Sequence, residues 1–325
     1  MLQRLSDSFW FQSFGCVLGF DWHSSGIATT ACGALKEGLK ARQKQLGSFV
    51  AVGKGATYCR TSQEIETLGP ELDMDPAELI YAGGMAAKVD SAGLQDSHQI
   101  YHHSFVFNKQ GVWCVVQQGM NTSIRCARRY DRLSEGAENF VCEPHAAICC
   151  DNRGEVLNMV ARESEEARQT SSLLTRERPE RLVGELKRLQ QLEMPAHHEV
   201  RLRDIHLDRL HTILLKTYEG QAETFEALLG MSGVGGKTNR ALSLISELAY
   251  GATPSLREPV RYSFALGGKG GHPYPVDRAN YHRSIATLED ALQRAKLGDR
   301  EKLAALRRLA SSGEMTKPRV TISGV

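Results

Sequence analysis

The chain has 325 residues, 41% hydrophobic and 24% charged, with a formal net charge of +2. That length holds two domains with cores of their own, and these fractions exclude a largely disordered or fibrous chain. No apolar run reaches membrane-spanning length, and the opening Leu2-Gln3-Arg4-Leu5-Ser6-Asp7 lacks the basic region and apolar core of a signal peptide, so a cytoplasmic protein with no membrane partner is expected.

Residues 1–150 carry short apolar runs broken by glycine, among them Phe14-Gly15-Cys16-Val17-Leu18-Gly19-Phe20 and Ser48-Phe49-Val50-Ala51-Val52-Gly53. Asp73-Met74-Asp75 ahead of Pro76 reads as an N-cap followed by proline at the first helical position, which predicts a helix over 76–87. Aromatic and β-branched residues over 100–107 and 112–118, around the polar turn Asn108-Lys109-Gln110-Gly111, predict a hairpin. Strand alternation puts His102 and Ser104 on one face of it and His103 and Phe105 on the other. From residue 155 the apolar spacing becomes helical, over 155–174, 179–192, 207–218, a helical pair within 222–250, and 281–310. The division falls near Asp151-Asn152-Arg153-Gly154, giving domains at 1–150 and 151–325.

Eight cysteines, at 16, 32, 59, 114, 126, 142, 149 and 150, form no Cys-x-x-Cys pair and no zinc-finger spacing with histidine. They read as buried reduced thiols rather than disulfides or a structural metal site. Charge is unevenly spread: residues 1–150 hold 13 Lys/Arg against 15 Asp/Glu, and residues 151–325 hold 27 against 23. The segment 237–283 is the most lopsided, with seven basic and three acidic residues. A basic surface there suits a phosphate backbone, and a solvated mixed face is the plainer alternative.

Inside that basic half lies Gly230-Met231-Ser232-Gly233-Val234-Gly235-Gly236-Lys237-Thr238. A P-loop needs glycine, four residues, then Gly-Lys-Ser/Thr after a strand. Here Met231 stands at the first glycine position and a helical pattern precedes the loop, so a nucleotide-using enzyme ranks last. The unit reads as helix, tight Gly-Val-Gly turn, helix, closed by Gly251. It resembles the helix-hairpin-helix motif of DNA-binding proteins, apolar-x-Gly-apolar-Gly-x-Lys, with Asn239 where the motif has a small apolar residue. The resemblance implies that Gly233, Val234, Gly235, Gly236, Lys237, Thr238 and Arg240 contact the DNA backbone without reading its sequence. An ordinary helical hairpin is the alternative. The expected fold is therefore α+β: an N-terminal mixed α/β domain, catalytic or partner-binding, then a mainly α-helical DNA-binding domain with a helix-hairpin-helix motif at 222–250.

A second stretch, Gly267-Gly268-Lys269-Gly270-Gly271-His272-Pro273-Tyr274-Pro275-Val276-Asp277-Arg278, extends the likeness. Bifunctional members of the helix-hairpin-helix DNA glycosylase superfamily carry a lysine after the hairpin glycines and an aspartate in a Val-Asp pair, which Lys237 and Asp277 resemble. That implies a lysine attacking the sugar and a carboxylate stabilising the cationic transition state, with no cofactor. Lys237 and Asp277 lie 40 positions apart, about twice the superfamily's spacing, so an insertion must loop out. The alternatives are a phosphate-contacting role for Lys237 and an N-cap role for Asp277. Lys269, Gly270, Gly271 and Arg278 are candidate phosphate contacts.

The chain as a whole resembles a bacterial and archaeal family known only as a domain of unknown function, through Trp10 to Gly26, Val115 to Asn121 and Gly270 to Arg278. Members carry residues ahead of the position of Met1, which implies an N-terminally incomplete first domain. That domain holds a polar set, Asp21, His23, Lys54, Lys88, Asp90, His98, His102, His103, Glu143 and His145. Carboxylates with histidines and lysine suit a nuclease using Mg²⁺ or Mn²⁺, with Asp21, His23, Lys88, Asp90 and His103 as its catalytic candidates. A surface or satisfied core role is the alternative for each. Gln117, Gln118, Arg125, Arg128 and Arg129 are a further candidate face for bases or phosphates. The expected partner is DNA, duplex or damaged and branched, met by a repair glycosylase/lyase, a metal-dependent nuclease, or a non-catalytic accessory protein.

Overall fold

The computed structural model describes residues 1–20, 26–54, 60–137, 139–150, 153–154, 156–189, 206–260, 278–296 and 298–314. Its centre is an antiparallel sheet in the order β1-β3-β4-β5-β6, formed by β1 (Ser48–Lys54), β3 (Gln99–Asn108), β4 (Trp113–Asn121), β5 (Cys126–Leu133) and β6 (Ala147–Cys149). The hairpin read from the sequence is β3 and β4. Its turn is closed by the Val112 amide donating to Asn108 Oδ1 at 2.9 Å, with Gly111 at φ +85°.

Period-two alternation sends the strands' apolar residues to two cores. Val50, Val106, Cys114 and Val116 pack under α1 (Leu2–Ser6), α2 (Ser8–Val17) and α3 (Ile27–Lys40). Phe49, Ala51, Phe105, Phe107 and Val115 pack under α5 (Arg60–Leu68) and α6 (Pro76–Lys88), while the short α4 (Gln43–Leu46) leads into β1. Asp75 caps α6, accepting from the Ala77 amide at 2.9 Å, and Pro76 opens the helix. At its far end α6 runs into one π-helical turn, Val89–Gly93, then β2 (Leu94–Gln95), which pairs with β7 (Leu157–Asn158).

The helical half comprises α7 (Glu165–Leu174), α8 (Pro179–Leu189), α9 (Leu207–Gly220), α10 (Phe225–Gly230) and α11 (Gly236–Tyr250). The expected helix over 155–174 starts late, because residues 157–158 are strand and 162–164 a short 3₁₀ turn. Val156, Met159, Val160 and Ala161 are buried there, and a brief apolar run has no period that separates buried strand from helix. Buried Arg168 holds the turn, donating to the carbonyls of Met159 and Ala161, both at 2.7 Å. The helix expected over 281–310 is two, α12 (Arg278–Arg294) and α13 (Asp299–Glu314), with Gly298 between them. Leu288, Leu292, Ala305 and Leu309 of this pair cluster with Val17 of α2. The largest apolar cluster joins Met85, Val89, Leu94 and Tyr130 to Leu210, Leu228, Val234 and Leu242, so both halves of the chain share it. The fold is mixed α/β with an antiparallel sheet. Among the described residues no helix is long and apolar enough to cross a membrane.

Replacing Asp75 by alanine leaves α6 without its cap and is expected to lower unfolding stability by about 1 kcal/mol, whereas Asp75→Asn keeps most of it. Denaturant midpoints at constant m-value measure the difference.

Candidate functional site

A cleft of about 790 Å³ opens between the π turn and the start of α11. One wall comes from α6, the π turn and residues 95–100, including Gly83, Lys88, Asp90, His98 and His103; the other is Gly235, Gly236, Lys237 and Arg240.

The floor is organised by β5, which turns alternate residues to opposite faces. Arg128, Tyr130 and Arg132 face the cleft side, and all three are fully buried. Arg132 Nη2 donates to Asp90 Oδ1, and His145 Nε2 reaches the same oxygen at 2.6 Å. Burial alone would raise the Asp90 pKa, but Arg132 and His145 outweigh it and hold it below the ordinary carboxylate value. Arg128 Nη1 donates to Asp96 Oδ2 at 2.8 Å and its Nη2 to Glu258 at 3.0 Å, while the Tyr130 hydroxyl donates to Asp96 Oδ2 at 2.6 Å.

His103 is set by a relay. Gln117 Nε2 donates to the Ala86 carbonyl at 3.3 Å and to Asp90 Oδ2, which fixes its amide orientation. Gln117 Oε1 must then accept from His103 Nδ1, 2.6 Å away, and this leaves the lone pair on Nε2. That Nε2 is buried with no hydrogen-bond partner, and a β-carbon placed on Gly83 would lie 3.7 Å from it. Burial pushes the His103 pKa down to about 4, so the ring is neutral near pH 7. A neutral imidazole with a lone pair beside a cleft is chemically a proton acceptor or a ligand.

The opposite wall is the helical hairpin. A helix, α10, enters the glycines, which agrees with the sequence reading and not with a P-loop. Gly233 takes φ +91°, Val234 is buried as the turn's apolar plug, and no side chain caps α11 at Gly235. The turn is tied to the first wall: Lys88 Nζ donates to the Val234 carbonyl at 2.6 Å, Gln95 Nε2 to the Gly236 carbonyl at 2.9 Å, and Arg240 Nε to Gln95 Oε1 at 2.8 Å. Asn239, the departure from the motif, is buried and donates to the Ala92 carbonyl at 2.8 Å. The same carbonyl of the π turn also accepts from Gln95 Nε2 at 3.1 Å, so a small apolar side chain at 239 would remove one of its two donors. Burial also lowers the Lys88 pKa.

Of the sequence candidates, Lys88, Asp90, His103, Gly235, Gly236, Lys237 and Arg240 therefore line one cleft. Gly233 and buried Val234 shape its turn, and Thr238 is buried in the first turn of α11. Asp21, His23, Lys269, Gly270, Gly271 and Asp277 lie outside the described residues, as do the side chains of Lys54 and Arg278. His102 faces away from the cleft with Ser104. Glu143 meets Arg257 at 3.4 Å on the surface. Two expectations are corrected: Arg128 and Arg129 are 2% and 6% exposed and held by Asp96 and Asp131, and Gln117 is fully buried in the His103 relay. Sequence reasoning missed Gln95, Asp96 and Arg132. The one available signal was four charges within the strand Cys126-Ala127-Arg128-Arg129-Tyr130-Asp131-Arg132-Leu133, a pattern more common on exposed strands.

A family model, described as protein of unknown function (DUF763), matches residues 1–276. The chain belongs to this family. No curated protein and no solved structure matches it. In this DUF763 member the matched region includes both walls of the cleft and stops ahead of α12 and α13.

Removing one partner of the buried Asp90 and Arg132 pair, as in Asp90→Asn, is expected to cost about 3–5 kcal/mol of stability, measured by urea unfolding. His103 is expected to titrate near 4 by imidazole NMR, against 6.5 when unfolded. Since the unfolded state binds the proton first, His103 makes stability rise with pH between those values and its contribution is lost on acidification through that window. His103→Gln flattens that part of the profile.

Proposed function

We propose that this protein binds DNA by its phosphate backbone at the cleft and processes the strand there without a hard metal ion, as a repair enzyme of the glycosylase/lyase type. The observation that carries this reading is that the first turn of α11, with Lys237 and Arg240, lines the same cleft as His103 and Asp90. On this reading the hairpin is a helix-hairpin-helix: its glycines permit close approach, and the uncapped positive end of α11 favours an anion. Such contacts hold any sequence, and Lys237 and Arg240 add charge.

The chemistry needs an amine and a base. The Lys237 amine condenses with the aldehyde carbon of an abasic sugar, forming C=N and releasing water. Removal of the neighbouring C2′ proton by His103 Nε2 then forms a C=C bond and breaks the C3′–O bond, and the phosphate leaves with the electron pair. The nuclease alternative requires Mg²⁺ or Mn²⁺ on several open oxygens. Asp90 is committed to Arg132, His145 and Gln117, and Asp96 to Arg128, Tyr130 and the His98 amide, so the described residues do not fit such an ion. The accessory-protein reading rests on a specific observation too: Lys88 is engaged with Val234 and His103 is buried, as struts would be.

Labelled duplexes with an abasic site, damaged bases or no lesion, each run in chelator, with manganese and with borohydride, separate these outcomes. A trapped adduct in chelator that Lys237→Ala abolishes is expected, with His103→Ala trapping normally but cutting at least tenfold more slowly. Arg240→Ala is expected to lower the salt slope of binding by about 0.9. A shifted band with no product from any substrate leaves the accessory role, and cleavage only with manganese moves the chemistry away from Lys237.

A further inference from the structure

Beside the cleft, three side chains with no part in the reading above converge. One ring nitrogen of His98 and the sulfurs of Cys126 and Cys150 all lie within 4.8 Å of one another. They come from three segments: residues 96–98 ahead of β3, the first residue of β5, and the residue after β6. We propose that His98, Cys126 and Cys150 bind a zinc-class divalent cation.

The geometry favours a cation over a chance meeting of thiols. The two sulfurs are 3.5 Å apart and not joined by a disulfide. Thiolates sharing a tetrahedral ion through bonds of about 2.3 Å sit about 3.8 Å apart, so the pair needs only a few tenths of an ångström of adjustment. His98 is oriented as metal-bound histidines are. Its Nδ1 lies 2.8 Å from the Asp96 carbonyl oxygen, which accepts the ring N–H and leaves Nε2 as the ligand atom. The buried ring also faces the Cys150 side chain, so histidine and thiol already stand against each other as two ligands of one ion would.

Asp96 is itself rigid, gripped by Arg128 and Tyr130, so the histidine's support does not depend on the ion. The β4 backbone backs it as well: a β-carbon on Gly119 would come within 3.1 Å of the His98 carbonyl oxygen. Two thiolates and one imidazole suit a soft or borderline ion such as Zn²⁺, and they do not suit Mg²⁺ or Ca²⁺. Cys126 is partly exposed, which gives an entry path, whereas Cys150 is buried. Three protein ligands leave one tetrahedral position for water or for a group entering from the cleft that His98 lines. The ion would pin the start of β5 and the end of β6 to the loop that carries Asp96.

The test is metal analysis of the reduced full-length protein, independent of any DNA substrate. One equivalent of zinc is expected by mass spectrometry, and Co²⁺ substitution is expected to give thiolate charge-transfer and tetrahedral d–d absorption. Cys126→Ser, Cys150→Ser and His98→Gln should each weaken binding at least hundredfold, with Cys142→Ser as the neutral control. Zinc should also shield Cys126 and Cys150 from alkylation in the unaltered chain, a readout that needs no variant to fold. Cobalt spectra without thiolate bands, unchanged stoichiometry in the Cys126 and Cys150 variants, or a Cys126 to Cys150 disulfide in protein isolated under reducing conditions would each overturn the proposal.

Discussion

Two buried ion pairs made by one face of β5 suspend the whole site. Arg132 holds Asp90 and Arg128 holds Asp96, and these two carboxylates bracket the π turn and β2. A segment of seven residues, 90–96, is thereby fastened at both ends to the sheet, while between those ends it presents Ala92, Gln95 and Ser91 to the hairpin. Buried pairs add little net stability over apolar packing, but each fixes its partner's position closely, because a displaced charge in the interior is costly. The other face of β5 repeats the device, with Arg129 on Asp131 and stacked 4.7 Å over the Phe11 ring. On that side desolvation dominates, and the Asp131 carboxyl is pushed up to about 6.

Fastening the π turn in this way explains why the hairpin sits where it does. The hairpin packs directly on the turn: a β-carbon on Gly236 would sit in van der Waals contact with the Ser91 carbonyl oxygen, 3.4 Å away. Lys88, Gln95, Asn239 and Arg240 then satisfy polar groups that this close contact removes from water. The hairpin is part of the cleft wall and not an appendage to the domain. Its apolar plug, Val234, belongs to the same cluster as Val89 and Leu94 of the opposite wall.

Much of this was legible in the residues. The β3 and β4 hairpin carried a two-residue period, the cap of α6 carried Asp-Pro, and the glycines at 233 and 235 marked a tight turn between helices. Local signals reached that far. They did not show that Lys88, Asp90 and His103 would line one cleft with Lys237, since about 150 residues separate the first two from the last. Arginines on β5 looked solvent-facing because their partners, Asp90, Asp96 and Asp131, are set by tertiary contact, two of them on a different segment. The cysteine pair was equally hidden: Cys126 and Cys150 are 24 positions apart with a histidine upstream, a spacing that strand order brings together and no linear motif announces. Where the apolar run was short, as at 156–161, the period gave the wrong element because burial on all sides erases it.

The packing of α12 and α13 on α2 bears on how the molecule is made. Arg308 donates to the Val17 carbonyl at 2.9 Å across 291 positions, and Leu288, Leu292, Ala305 and Leu309 cover Val17. Among the described residues, the clusters of the sheet and the hairpin draw on segments that end by residue 260, whereas the outer flank of α2 is covered by residues up to about fifty positions further on. At a translation rate of about 5–20 residues per second, those covering residues follow several seconds later. Val17 is thus the part of α2 whose cover arrives last among the described residues.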